Sequence, residues 1–317
     1  MKTILLGLLV MFTVSSLSAC VHSAIYTSRV EDRFPPVGEL IPVNGADVHV
    51  MMQGEAGPPV LMIHGASANA REFDWSLAPR LADNHRIFMA DRPGHGHSER
   101  PEDAYELGVQ AAQMAGVLEA LAPGEKAVIV GHSFGGGVAL RLALDRPDLV
   151  DGLVLLAPVS HDWGGGGETW YNKYAGAPVI GPIFSQLVPI VGPAQVEAGI
   201  NGVFDPAPEP AGYFENSAIG LLFRPGNFRA NARDVNALRE ELGAQSARYE
   251  QLELPIIVFS GAQDTVISPP LHVGKLKHQA QDLELVPLAD EGHMPHHGEG
   301  AAVADAIRRL ASERDAS

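Results

Sequence analysis

Apolar and polar positions along this chain alternate between two patterns. One is a set of short, unbroken apolar runs: Val60-Leu61-Met62-Ile63, Ile87-Phe88-Met89-Ala90, Ala127-Val128-Ile129-Val130, Leu153-Val154-Leu155-Leu156 and Ile256-Ile257-Val258-Phe259. A strand buried on both faces has no polar side to show, so it reads as a continuous apolar stretch of this length. Val48-His49-Val50-Met51-Met52 follows the turn pair Asn44-Gly45 and reads as the second arm of a hairpin. Leu283-Glu284-Leu285-Val286 reads as a last strand. The second pattern is helical and fills the gaps, over Ala104–Leu121, Gly135–Leu144 and Ala301–Leu310. Strands separated by helices predict an α/β fold, with a mostly parallel, doubly wound sheet covered on both faces. Ligands of such sheets bind beyond the carboxyl ends of the strands, so chemistry is to be sought just after each run.

Two regions break the alternation. From 160 to 250 there is an insertion with Gly164-Gly165-Gly166-Gly167, many prolines and frequent aromatics, expected to be mainly helical and to hold a helix from Asn231 to Ala247. The glycine run has neither a strand before it nor a helix cap after it, so it predicts a flexible loop rather than a phosphate cradle. At the other end, Lys2 precedes an apolar run from Ile4 to Val14, and small residues lead to Cys20. That order describes a secretory signal over 1–19, and the run is short for a bilayer span. Leu17-Ser18-Ala19-Cys20 resembles the bacterial lipobox, in which the cysteine is lipidated and becomes the mature N-terminus. Cys20 is the one cysteine in the chain. The expected product is an exported, disulfide-free protein held on a membrane by lipid, with a tether over 20–37 that shows no clear period.

Composition adds two exclusions. With 46% hydrophobic and 19% charged residues in 317, the chain can bury a real core. Its net charge is −16 and its 22 Lys and Arg are scattered, which argues against nucleic acid as a partner. There is no H-E-x-x-H, no Cys/His cluster and no G-x-x-x-x-G-K-[ST], so no cofactor and no metal is expected.

The chemistry gathers at three run ends. Gly131-His132-Ser133-Phe134-Gly135 matches G-x-S-x-G directly between a strand and a helix start. There the glycines allow a sharp turn that lifts the serine hydroxyl above the sheet. A serine needs a base, and 13 histidines compete for that role. His293 follows the last strand and so lies at the edge that carries Ser133. His296 and His297 are its rivals, while His49, His85 and His278 read as solvated surface residues. With His293 these two could suggest a metal site, but no carboxylate stands at helical spacing from them. Asp264, after the Ile256 strand, is placed to fix the imidazole tautomer, although an aspartate there can also serve only as a turn former.

Taken together these motifs resemble the α/β-hydrolase superfamily over about residues 37 to 312. The resemblance rests on His64-Gly65, Asp91-Arg92-Pro93-Gly94-His95-Gly96-His97-Ser98, the G-x-S-x-G turn, Gly261-Ala262-Gln263-Asp264 and Gly292-His293. It implies a core of 38–159 and 251–317, with 160–250 as a lid. It implies Ser133, Asp264 and His293 as catalytic residues, and the backbone N–H groups of Ala66 and Phe134 as an oxyanion hole. It implies that Asp91–Ser98 shapes a loop beside the site, with His95 and His97 structural rather than catalytic. The expected activity is esterase- or lipase-like, on a small to medium apolar acyl substrate. C–C bond hydrolysis, lactone opening and cofactor-free perhydrolysis remain alternatives, as does a non-catalytic surface-binding lipoprotein. A serine rather than an aspartate at the turn argues against dehalogenase or epoxide hydrolase chemistry. Part of the set Trp163, Trp170, Tyr171, Tyr174, Ile183, Phe184, Leu187, Val188 and Ile190 is expected to line an acyl pocket.

Overall fold

The computed structural model describes residues 2–165 and 169–313; Gly166 and Gly167 of the glycine run lie outside them. Eight strands form one sheet: β1 (Glu39–Val43), β2 (Ala46–Gln53), β3 (Pro59–Ile63), β4 (Arg86–Ala90), β5 (Ala127–His132), β6 (Val150–Leu156), β7 (Ile256–Gly261) and β8 (Leu283–Leu288). The longer helices are α1 (Lys2–Arg33), α2 (Leu107–Leu121), α3 (Phe134–Asp145), α4 (Trp170–Gly176), α5 (Val196–Phe204), α6 (Pro225–Ser246) and α7 (Gly300–Glu313).

Strand order is β1-β2-β4-β3-β5-β6-β7-β8. The hairpin β1–β2 and its junction with β4 are antiparallel, and all later pairings are parallel. Asn44 and Gly45 turn the hairpin with φ of 49° and 82°, the double left-handed conformation of a tight two-residue turn. The apolar runs divide by alternation, as the period of a strand requires. Leu61, Ile63, Ile129, Leu153 and Leu155 face α2 and α3. Val60, Met62, Val128, Val130 and Val154 face α7. This two-sided burial is the reason the runs show no polar positions.

Between β6 and β7 the chain leaves the sheet through α4, a series of short turns, α5 and α6. The helix expected from Asn231 begins earlier, with Pro225 in its first turn, where a missing N–H costs nothing.

Residues 21–33, read above as part of a tether without period, instead continue α1 as one helix through Arg33. Its last turns lie against the insertion. Val30 and Phe34 pack with Ala218 and Leu221, the Tyr26 hydroxyl donates to the Gly220 carbonyl at 3.0 Å, and Arg224 pairs with Glu31 at 2.7 Å. The surface reading of two histidines also needs correction. His49 is buried against Asp91, Nδ1 to Oδ2 at 2.7 Å, and His85 is buried beneath the Gly54 turn. His278 is exposed, as expected.

Candidate active site

Ser133 stands between β5 and α3 with φ 50° and ψ −115°, a conformation that L-residues avoid. The turn is over-determined by its surroundings. The Ser133 N–H donates to Leu156 O at 2.9 Å, and its carbonyl accepts from Gly136 at 2.9 Å and Val159 at 3.1 Å. A methyl group on Gly135 would stand 2.1 Å from the Ile63 carbonyl oxygen, so only glycine lets α3 start this close to the end of β3.

Asp264 and His293 come together after β7 and β8. His293 Nδ1 donates to Asp264 Oδ2 at 2.7 Å. The other carboxylate oxygen accepts the N–H groups of Val266 (2.8 Å) and Ile267 (3.1 Å), so the acid cannot rotate away. All three residues are buried. Ser133 and His293 are linked through His132, whose Nε2 donates to the His293 carbonyl at 2.9 Å and whose ring lies 5.0 Å from the His293 ring. Burial holds His132 well below the ordinary histidine range, so it is neutral here.

The loop His64-Gly65-Ala66-Ser67 lies directly against the serine turn, since a Cβ on Gly65 would sit 3.2 Å from Ser133 Cβ. Phe134 opens α3, and a first-turn N–H has no acceptor within its own helix. Two residues hold the loop in place. Arg92, fully buried, donates to the carbonyls of His64 (3.1 Å) and Gly65 (3.0 Å), and lies 4.1 Å from the Phe134 ring centre. Asn231 of α6 accepts the Ser67 N–H at 2.7 Å and donates to its hydroxyl at 3.2 Å. The charge of Arg92 is balanced from the same helix by Asp234 at 3.0 Å, which also takes Arg100 at 2.6 Å. Burial lowers Arg92 to about 10, which still leaves it cationic at neutral pH. The reading of Asp91–Ser98 as a shaping loop is therefore specific at Arg92. The parts that the insertion supplies, Asn231 and Asp234, carried no sequence signal.

His296 and His297 turn away from the base role towards a residue that sequence reasoning missed. Both place Nε2 on Glu72 Oε1, at 3.1 and 2.6 Å, and Tyr213 donates to Glu72 Oε2 at 2.7 Å. Burial pushes the Glu72 carboxyl up, but the hydrogen bonds from His296 and His297 outweigh it and hold the group well below the usual range. Burial, then the neighbouring His297, lowers His296 to about 4. The three ligand atoms lie within 4.8 Å of one another, close enough to ask about a cation. A cation on His296 Nε2 would move the imidazole proton to Nδ1, which is buried without an acceptor among the described residues. Ligating histidines normally give that proton to a partner, so the cluster fits a hydrogen-bonded brace better than a metal site. The brace stands beside His132, whose ring lies 4.9 Å from that of His296.

The side chains expected to line an acyl pocket divide. Trp170, Tyr171, Tyr174, Ile183, Leu187 and Ile190 are exposed, Val188 is buried, and Trp163 and Phe184 are half-buried. The apolar group that borders the His293 loop is a different one, with Ile200, Phe204, Tyr213 and Ile219 packed on Met294.

A family profile described as the alpha/beta hydrolase fold matches residues 58–177. A 2-hydroxymuconate semialdehyde hydrolase of Pseudomonas sp. is 42% identical over 125 residues, covering 38% of this chain and 44% of that protein. An esterase of Mycobacterium tuberculosis is 38% identical over 126 residues, covering 38% of this chain and 40% of the esterase. Each of these two matches thus spans less than half of the relative's length. Among solved structures, a membrane phospholipase A described as a bacterial virulence factor superposes with a TM-score of 0.68. Its identity is 21%, and the match covers 97% of this chain and 99% of that one.

Proposed function

We propose that the chain is a serine hydrolase of the α/β-hydrolase superfamily that acts on small to medium apolar esters. The single observation that carries this reading is the strained Ser133 turn joined through His132 to the His293–Asp264 pair at 2.7 Å. Ser133 Oγ bonds to the acyl carbon as its proton passes to His293 Nε2. The oxyanion that forms lies against the N–H groups of Ala66 and Phe134, and donors of this kind are worth roughly 3–4 kcal/mol each in the transition state. His293 then returns the proton to the leaving alkoxide, and water repeats the sequence on the acyl-enzyme. Asp264 holds the Nδ1–H tautomer and stabilises the imidazolium. The apolar group around Met294 supplies the wall nearest the base, and similarity to an esterase supports the ester reading. We further propose export, with residues 1–19 as signal and lipid on Cys20.

The similarity to a semialdehyde hydrolase supports a second reading, hydrolysis of a C–C bond next to a carbonyl by the same three residues. The test is kcat/KM for p-nitrophenyl esters from acetate to palmitate, alongside a vinylogous diketone. The ester reading expects a rise and then a fall with acyl length. Diketone cleavage without ester turnover would replace it with the second reading.

A further inference from the structure

Apolar surface left in water is concentrated on one part of this molecule. Of the 16 large hydrophobic side chains that are exposed among the described residues, 12 lie on α1 or between 170 and 191. Val179 is 85% exposed, Trp170 66% and Ile183 61%, with Val191 beside them in the same segment. A large patch of this kind marks a surface that meets something apolar. The segment has the composition to match. No single described helix is long and apolar enough to cross a membrane. The bent pair Trp170–Gly176 and Gly181–Phe204, broken by 116°, meets that measure by length and composition. Bent in this way and open on one face, it suits the plane of a bilayer interface rather than a span.

The position of α1 identifies the occupant. Exposed Leu17, Val21 and Ile25 recur every four residues along the helix, and Val21 and Ile25 remain once residues 1–19 are removed. The helix packs on the short turns around Ser185–Val191, and the Cys20 side of it borders a groove of about 450 Å³ shared with Gln186 and Pro225. The apolar run Ile4–Val14 continues the same helix towards its start. Whether α1 reaches the membrane through that run or through lipid on Cys20, its rigid docking brings the insertion to the membrane with it. We infer that the exposed face formed by α1 and residues 170–191 docks on a phospholipid bilayer, so that the lid side of the enzyme meets its substrate at the membrane surface. The inference rests on the proposed membrane attachment of α1, but not on the ester chemistry. The interaction is apolar rather than ionic, since the protein carries a net charge of −16 and Glu31 and Asp32 line the groove.

The full-length chain, incorporated into phosphatidylcholine vesicles with brominated acyl chains, tests this through its three tryptophans. Trp75 and Trp163 are half-buried in the protein, while Trp170 is on the patch. Emission should be quenched in the parent and markedly less so in Trp170→Phe, with both proteins sedimenting with the vesicles. A Val179→Asp/Val191→Asp variant should lose about tenfold or more in turnover of an ester presented in vesicles, given the cost of withdrawing two valines from lipid. Turnover of a soluble short ester should stay within about twofold, as expected for surface substitutions. Equal quenching in the parent and Trp170→Phe, while both remain on the vesicles, would overturn the inference and leave the anchor intact. Loss of a dimer in the double variant, with vesicle turnover unchanged, would give the surface to a second copy of the chain instead. Failure to sediment at all would remove the attachment on which the inference stands. Absence of ester turnover alongside normal quenching would strike the proposed activity and spare the docking.

Discussion

The two halves of the insertion obey different physics. Its inner half, α6, turns polar side chains inward. Asn231 and Asp234 are buried and reach the Ser67 loop and Arg92. Its outer half, from 170 to 191, turns apolar side chains outward, including Val179 and Trp170. The inner helix thus buries charged and amide groups alongside Leu238 and Leu242, while the outer half leaves apolar groups in water. A buried charge is retained where it is paired and holds a loop in place, and an exposed apolar face is retained where it has another solvent to meet. The insertion is thus two parts, one packed on the candidate active site and one at the surface.

The sharpest break in that comparison is expected at Asp234. Asp234→Ala leaves the guanidinium of Arg92 buried and unpaired, at a cost of about 3–5 kcal/mol. Val179→Ser on the outer half should change stability by no more than about 0.5 kcal/mol. Urea unfolding of the two variants checks this, and equal values would erase the distinction. Next comes Asn231→Ala, which frees the loop that holds Ala66, the proposed oxyanion donor. Displacement on the ångström scale costs up to about 10²-fold in rate. The loss should appear in kcat far more than in KM, and a change confined to KM would mean that Asn231 only shapes binding.

Stability is also expected to depend on pH. Burial lowers His64 to about 3 and both His272 and His296 to about 4, from 6.5 in the unfolded chain. The unfolded state therefore binds more protons between these values, and stability must fall as protons are added. The contribution of these groups is complete above pH 6.5 and is lost as the pH falls from there to about 4 for His272 and His296 and to about 3 for His64. Glu72, held low by its two histidines, adds a further loss below 4.5. Stability to urea should decline steadily from pH 7 to 4.5. Constant stability across that range would mean that these imidazoles are not buried neutral.

The sheet was readable because two-sided burial leaves only one kind of residue at each strand position. Val60 to Ile63 could be assigned before either helical layer was known. The nearness of Ser133, Asp264 and His293 to one sheet edge was readable because each lies within five residues of a strand end, and the carboxyl ends of parallel strands share an edge. The supporting residues obey no such local rule. Arg92 and Asp234 are 142 positions apart, and Glu72 and His296 are 224 apart. Their pairing exists only once the insertion and the His293 loop fold back over β3 and β4. Burial of His49 was hidden for a related reason, since its partner Asp91 arrives from another strand end. The contact stripe of α1, Tyr26, Val30 and Phe34, has helical spacing, but with so few apolar residues in that segment it did not read as a period.

The central claim is that Ser133 is an activated nucleophile, and a fluorophosphonate probe tests it most directly. Digestion and mass analysis of the labelled chain should find one adduct, on the peptide that carries Ser133. Ser133→Ala should abolish labelling and lower ester hydrolysis by roughly 10⁴-fold or more, with His293→Ala as damaging. An adduct elsewhere, or a Ser133→Ala variant retaining hydrolysis within about tenfold of the parent, would contradict the account.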